Sequence, residues 1–134
     1  MTKPLTGRCL CGAVRFRLDP PFRDISICHC GMCRRWHGHA GAYTAVAKTA
    51  LHLEDSRGLA WFRSSDIARR GFCRECGSSL FWERHQGQSI AVAAGSLDAP
   101  TGLNAALQIW VEEKGDYYRL NADIPTRPRG LSSQ

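Results

Sequence analysis

All seven cysteines of this 134-residue chain fall into three short clusters: Cys9 and Cys11; Cys28, Cys30 and Cys33; Cys73 and Cys76. Thiolates one or two residues apart are suitably spaced to share a metal ion, so the chain must fold in a way that closes metal knuckles. Disulfides fit poorly. Seven cannot pair completely, and Cys9 and Cys11, like Cys28 and Cys30, lie too close along the chain for an easy mutual bridge. The segment Met1 to Leu10 has no apolar run resembling a signal peptide, and no later stretch approaches the roughly 20 apolar residues that span a bilayer. The expected setting is therefore cytoplasmic, without membrane association, where thiols stay reduced.

The outer clusters carry the same punctuation, Gly12 after Cys11 and Gly77 after Cys76. In a metal knuckle the chain turns sharply so that backbone N–H groups point towards the sulfurs, and glycine reaches the positive φ this needs without a Cβ clash. Two groupings of the ligands survive. In one, Cys9, Cys11, Cys73 and Cys76 form a four-sulfur site, and Cys28, Cys30 and Cys33 form a three-sulfur site. In the other, Cys30 and Cys33 join Cys73 and Cys76 as a zinc ribbon, and Cys9, Cys11 and Cys28 are left scattered. The first is favoured because the three thiolates of the run CHCGMC are already local. Four protein ligands close a tetrahedral ion structurally, whereas three leave a position for water or substrate.

Hydrophobic periodicity favours strands. Val14, Phe16 and Leu18 alternate with Arg15 and Arg17, the two-residue repeat of a strand with one buried face. Comparable segments recur at Asp24 to Cys28, Gly41 to Ala47, Leu51 to Leu53, Leu59 to Arg63, Ile67 to Phe72, Ser79 to Glu83, Ser89 to Ala94, Leu107 to Glu112 and Tyr117 to Leu120. A short helix is expected over Gly31 to His37 and another turn over Ala99 to Ala106. The chain reads as one all-β domain over residues 1–134, with its motifs within about 7–112. An irregular, loosely held tail is expected over about 121–134.

Eighteen basic against 12 acidic residues give a formal net charge of +6. That balance suggests an anionic partner, yet seven thiolates binding two Zn²⁺ ions would remove three of those charges. Arg34, Arg35, Arg69, Arg70 and Arg74 sit beside the cysteines, and no basic run has the length of a nucleic-acid arm. Nucleic acid is not the expected partner.

The order GRCLCGAVRFRL, CHCGMCRRWHG, GFCRECGSSLFW and AAGSLDAP resembles the glutathione-dependent formaldehyde-activating enzyme (GFA)-like family, also called the centromere-protein-V/GFA family. The resemblance runs from about Gly7 to Trp110. It implies stacked antiparallel sheets of the Mss4-like, or β-tent, type with zinc knuckles and two zinc ions per chain. By motif position Cys9, Cys11, Cys73 and Cys76 correspond to the structural ligands, and Cys28, Cys30 and Cys33 to the catalytic ones. The implied activity is of carbon–sulfur lyase type: addition of glutathione, or another small thiol, to formaldehyde or another small aldehyde. The chain departs from the family pattern at Gln108, where members often place a histidine before the late apolar-aromatic pair.

Substrate contacts are expected from Arg34, a carboxylate grip for a peptide-like thiol, from Trp36 beside the middle cluster, and from His37. His39 follows closely enough to line the same site. His29, between two inward-pointing cysteines, is expected to point away from the ion. The competing reading is a non-catalytic zinc-stabilised module that binds protein or nucleic acid through its basic surface.

Overall fold

The computed structural model describes residues 3–131; Met1, Thr2 and the last three residues of the expected 121–134 tail lie outside the described residues. The fold is mainly β. Its strands are β1 (Leu5–Arg8), β2 (Arg15–Leu18), β3 (Ile25–Cys28), β4 (Gly41–Ala47), β5 (Leu51–Asp55), β6 (Leu59–Arg63), β7 (Ala68–Cys73), β8 (Ser79–Arg84), β9 (Ser89–Ala93) and β10 (Ala105–Ile109), with one helix, α1 (Gly31–His37). Two compact units divide the chain: Met1–Arg23 with Thr44–Gly102, and Asp24–Tyr43 with Leu103–Gln134.

In the first unit β1, β2 and β5 form an antiparallel sheet, and β9, β8, β7 and β6 follow the later residues of β4 in a second. The alternation read around β2 is what buries Val14, Phe16 and Leu18. Phe16 meets Phe81 of β8 edge-on at 5.2 Å between ring centroids, so the two sheets stack through aromatic packing. Each such fully buried side chain is worth about 1.5–3 kcal/mol. Glu83 is buried but paired: Arg69 reaches its Oε1 at 2.7 Å and Lys48 its Oε2 at 3.6 Å. Strand β1 has no counterpart among the expected segments. Its sequence LTGR has a single large apolar residue, and Gly7 is required there because a Cβ would strike the Phe16 ring.

In the second unit β3 pairs antiparallel with the first residues of β4 and parallel with β10. Helix α1 follows β3 directly and ends at Gly38, which takes the left-handed conformation at φ 79°. Two expected elements differ. Residues 99–104 are irregular before β10, and Tyr117 to Leu120 is not a strand: a turn at 116–117 runs into irregular chain. The described tail has no ladder of its own, yet it is not loosely held. Gln108 N–H donates to Pro125 O and Arg127 N–H to Gln108 O, at 2.8 Å each, and Trp110 N–H donates to Arg129 O at 3.0 Å.

Candidate metal centres

The first unit brings Cys9, Cys11, Cys73 and Cys76 together, every sulfur within 4.8 Å of the others. Cys9 and Cys11 lie in the turn after β1, Cys73 ends β7, and Cys76 lies in the turn before β8. Gly12 and Gly77 adopt φ values of 84° and 81°, the sharp turns anticipated for the two knuckles. Backbone dipoles and a hydroxyl serve the sulfurs: Val14 N–H donates to Cys9 Sγ at 3.3 Å, and Ser78 Oγ lies 3.2 Å from Cys76 Sγ. Ser78 Oγ also accepts the Leu10 N–H at 3.0 Å and so ties one knuckle to the other.

Sulfurs at about 2.3 Å from a tetrahedral Zn²⁺ are spaced about 3.8 Å apart. Cys9 Sγ and Cys11 Sγ are separated by 3.7 Å, and Cys11 Sγ and Cys73 Sγ by 3.8 Å. The donor set fits the ion. Crowded thiols otherwise divide their charge unevenly. The Ser78 hydroxyl leads the interactions that hold Cys76 down at about 5. At Cys11 the Ala13 backbone works to lower the pKa, but desolvation and the neighbouring sulfurs prevail and raise it to about 11. A divalent cation removes this competition by favouring every thiolate at once.

The second unit converges Cys28, Cys30 and Cys33 within the same 4.8 Å limit. Cys28 closes β3, Cys30 is the N-cap of α1, and Cys33 lies in its first turn, so strand end and helix start fix all three. Cys30 Sγ accepts the Cys33 N–H at 3.3 Å. Hydrogen bonds from Cys28 and then Cys33 pull the Cys30 thiol down to about 2, and those of Cys28 with Cys30 and then Cys33 push Cys28 strongly up. The motif thus places its first negative charge at the helix start, where the Cys33 N–H points at the Cys30 sulfur.

Arg34, Trp36 and His37 all lie on α1. Trp36 and His37 are three and four residues beyond Cys33 and share its helical side. His37 is turned towards Tyr43, its Nε2 2.5 Å from the hydroxyl. Close passage at Gly41 permits this, since a Cβ there would fall 2.5 Å from the imidazole. His39 is exposed and pairs through Nδ1 with Tyr117 Oη at 2.8 Å.

His29 is buried and engaged on both nitrogens, with Tyr118 Oη 2.6 Å from Nδ1 and Gln108 Oε1 3.2 Å from Nε2. The Gln108 amide nitrogen donates to Asn121 O at 3.0 Å and Ile124 O at 3.1 Å. That fixes the amide orientation, so its oxygen must accept from His29 Nε2–H and leaves Nδ1 to accept the Tyr118 hydroxyl proton. Burial, opposed by the Gln108 hydrogen bond and aided by His39 and Lys114, holds His29 below its ordinary pKa. Gln108 is therefore a buried structural amide and lacks the titratable character of an imidazole. Reading by motif missed Ser78, two residues beyond Cys76, and also Gly58, Glu113 and Tyr118, which stand far along the chain from the cysteine turns they support.

A family model described as glutathione-dependent formaldehyde-activating enzyme matches residues 4–113. An uncharacterized lyase of Schizosaccharomyces pombe is 26% identical over 84% of this chain and 82% of its own. A putative glutathione-dependent formaldehyde-activating enzyme of Halomonas elongata is 32% identical over 58% of this chain and 54% of its own. In fold, the crystal structure of a Rhodobacter sphaeroides protein is similar with a TM-score of 0.62 and 20% identity, covering 91% of this chain and 99% of that one.

Proposed function

Because the chain belongs to the glutathione-dependent formaldehyde-activating enzyme family, we propose that it is a zinc-dependent, carbon–sulfur lyase-type enzyme. It joins a small thiol such as glutathione to a small aldehyde at Cys28, Cys30 and Cys33. The observation that carries this reading is the unequal ligand count, four convergent sulfurs in one unit and three in the other. Two Zn²⁺ ions per chain follow. The four-sulfur ion is closed and structural, and the three-sulfur ion keeps a position for a reactant.

Bound at the three cysteines, Zn²⁺ would supply the positive charge that lets an incoming thiol persist as a thiolate. The step balances without a redox partner. A carbon–sulfur bond forms as the carbonyl π pair moves onto oxygen, and the proton lost by the thiol ends on that oxygen, giving the S-hydroxymethyl adduct. The strand end and helix cap hold the three sulfurs without a long ordered loop, which limits the reorganisation needed when substrate arrives. Arg34 is assigned to a substrate carboxylate, Trp36 to one wall, and His37, already oriented by Tyr43, to substrate positioning. A reducing cytoplasmic setting suits seven free thiols.

The test compares thiol-adduct formation by the wild type, by Cys30→Ser and by buffer, because thiols add to formaldehyde unaided. The wild type should exceed buffer and Cys30→Ser should fall to the buffer rate. Equal rates in all three remove the proposed activity.

A further inference from the structure

Beyond β10 the chain is tied back to the three-cysteine loop. Trp110 takes the left-handed backbone conformation, φ 57°, as the only non-glycine with positive φ among the described residues. That strain turns the chain out of β10 into the short 3-10 turn Val111–Glu113. Three hydrogen bonds then join residues 113–118 to residues 29–39. Glu113 Oε1 accepts the N–H of Gly31, which follows Cys30, at 3.0 Å. Tyr118 Oη meets Nδ1 of His29, between Cys28 and Cys30, at 2.6 Å, and Tyr117 Oη meets His39 Nδ1 at 2.8 Å.

This strap is braced internally. Lys114 Nζ donates to Gly115 O at 3.0 Å and to Tyr118 O at 2.7 Å, and it lies 5.1 Å from the Tyr118 ring centroid. The Tyr118 ring packs against His39 at 4.5 Å and Tyr117 at 4.8 Å between centroids. The run Cys28-His29-Cys30-Gly31 has little bulk of its own, and its two non-ligand residues are the ones the strap grips. Strand end and helix start fix the ends of this run, but without the strap its two intervening residues keep more conformational freedom, and ordering them opposes metal binding.

We propose that Glu113 and Tyr118 are positioning residues that hold the three-cysteine loop in its metal-binding geometry, so that a remote strap sets how firmly this centre retains its ion. The proposal rests on reading Cys28, Cys30 and Cys33 as metal ligands, but not on the identity of the reaction. Loss of an outer partner of a metal site typically weakens binding about 10–100-fold.

The experiment loads the full chain with Zn²⁺ and follows its release to a chromophoric chelator in wild type, Tyr118→Phe, Glu113→Ala and Glu113→Gln, with circular dichroism reporting the fold. In Tyr118→Phe and Glu113→Ala one of two ions should leave at least about tenfold more readily, while the other is held as in wild type. Glu113→Gln should behave as wild type, since its amide oxygen still accepts the Gly31 N–H. The proposal is overturned if Tyr118→Phe and Glu113→Ala retain both ions normally, if both ions loosen together, if the fold is lost, or if Glu113→Gln is as weak as Glu113→Ala. Failure of thiol-adduct formation in the wild type would remove the reaction and leave this measurement decisive. A wild type that holds no second ion overturns both.

Discussion

Gly58 shows how much of a metal centre depends on a residue that offers no ligand. Its N–H donates to Ala13 O at 3.1 Å and its carbonyl accepts the Arg74 N–H at 2.7 Å, binding the Cys9/Cys11 turn and the Cys73/Cys76 turn to one backbone position. A Cβ there would lie 2.9 Å from Cys73 Sγ and 2.8 Å from Ala13 Cβ, too close without a shift of buried neighbours. Gly58→Ala is accordingly expected to lower stability by about 1–3 kcal/mol and to loosen the four-sulfur ion, read by chemical denaturation and by bound zinc after dialysis. Unchanged zinc and stability would show that the knuckles yield freely. Gln108 illustrates a different economy. An imidazole offers two nitrogens, whereas this amide accepts from His29 and donates to two tail carbonyls, so the same residue orients His29 and anchors the chain end.

At the scale of elements, strands with an apolar face were legible wherever periodicity alone decides the outcome. Gly41–Ala47 and Leu59–Arg63 have the expected bounds, and Gly31–His37 is the expected helix. The misreadings have local causes. Tyr117 to Leu120 has strand-like residues, but its tyrosine hydroxyls are committed to His29 and His39, which one chain segment cannot announce. Likewise β1 exists because β2 offers it a partner. Pairing of β2 with β5 carries its own electrostatic consequence: Arg17 lies opposite His52, and Asp19 beyond the strand end meets both, His52 at 2.7 Å and Arg17 at 3.4 Å. The His52 hydrogen bond, with Arg17 aiding, lowers the Asp19 pKa below its ordinary 3.8. The unfolded chain therefore binds the proton first as pH falls, and this contribution to stability, complete above the ordinary value, disappears through the lower folded one. In urea titrations between pH 6 and pH 3, Asp19→Asn should lose less stability than wild type across that window. Parallel losses would remove the pair from the acid response.

Across the whole molecule, each compact unit holds one set of converging sulfurs: Cys28, Cys30 and Cys33 are neighbours in the chain, whereas Cys9 and Cys11 meet Cys73 and Cys76 only through the fold, which spacing alone does not announce. The formal charge of +6 belongs to the chain with neutral thiols; cysteines that bind metal do so as thiolates, so loading both proposed centres would lower it. No described helix is long and apolar enough to cross a membrane. Separate clusters predict separate metal equilibria. Acid competes with the ion at every sulfur, and a closed four-sulfur set must lose more ligand contacts than a three-sulfur set before its ion departs. Release of Zn²⁺ to a chromophoric chelator on stepwise acidification should therefore occur in two stages, the three-cysteine ion first. Cys30→Ser should abolish the early stage and leave the late one, and Cys11→Ser should move the late stage towards neutral pH without moving the early one. A single stage in the wild type, or the same displacement of both stages by either substitution, would mean that the clusters share one equilibrium, and the division into a structural and an open centre would then fail.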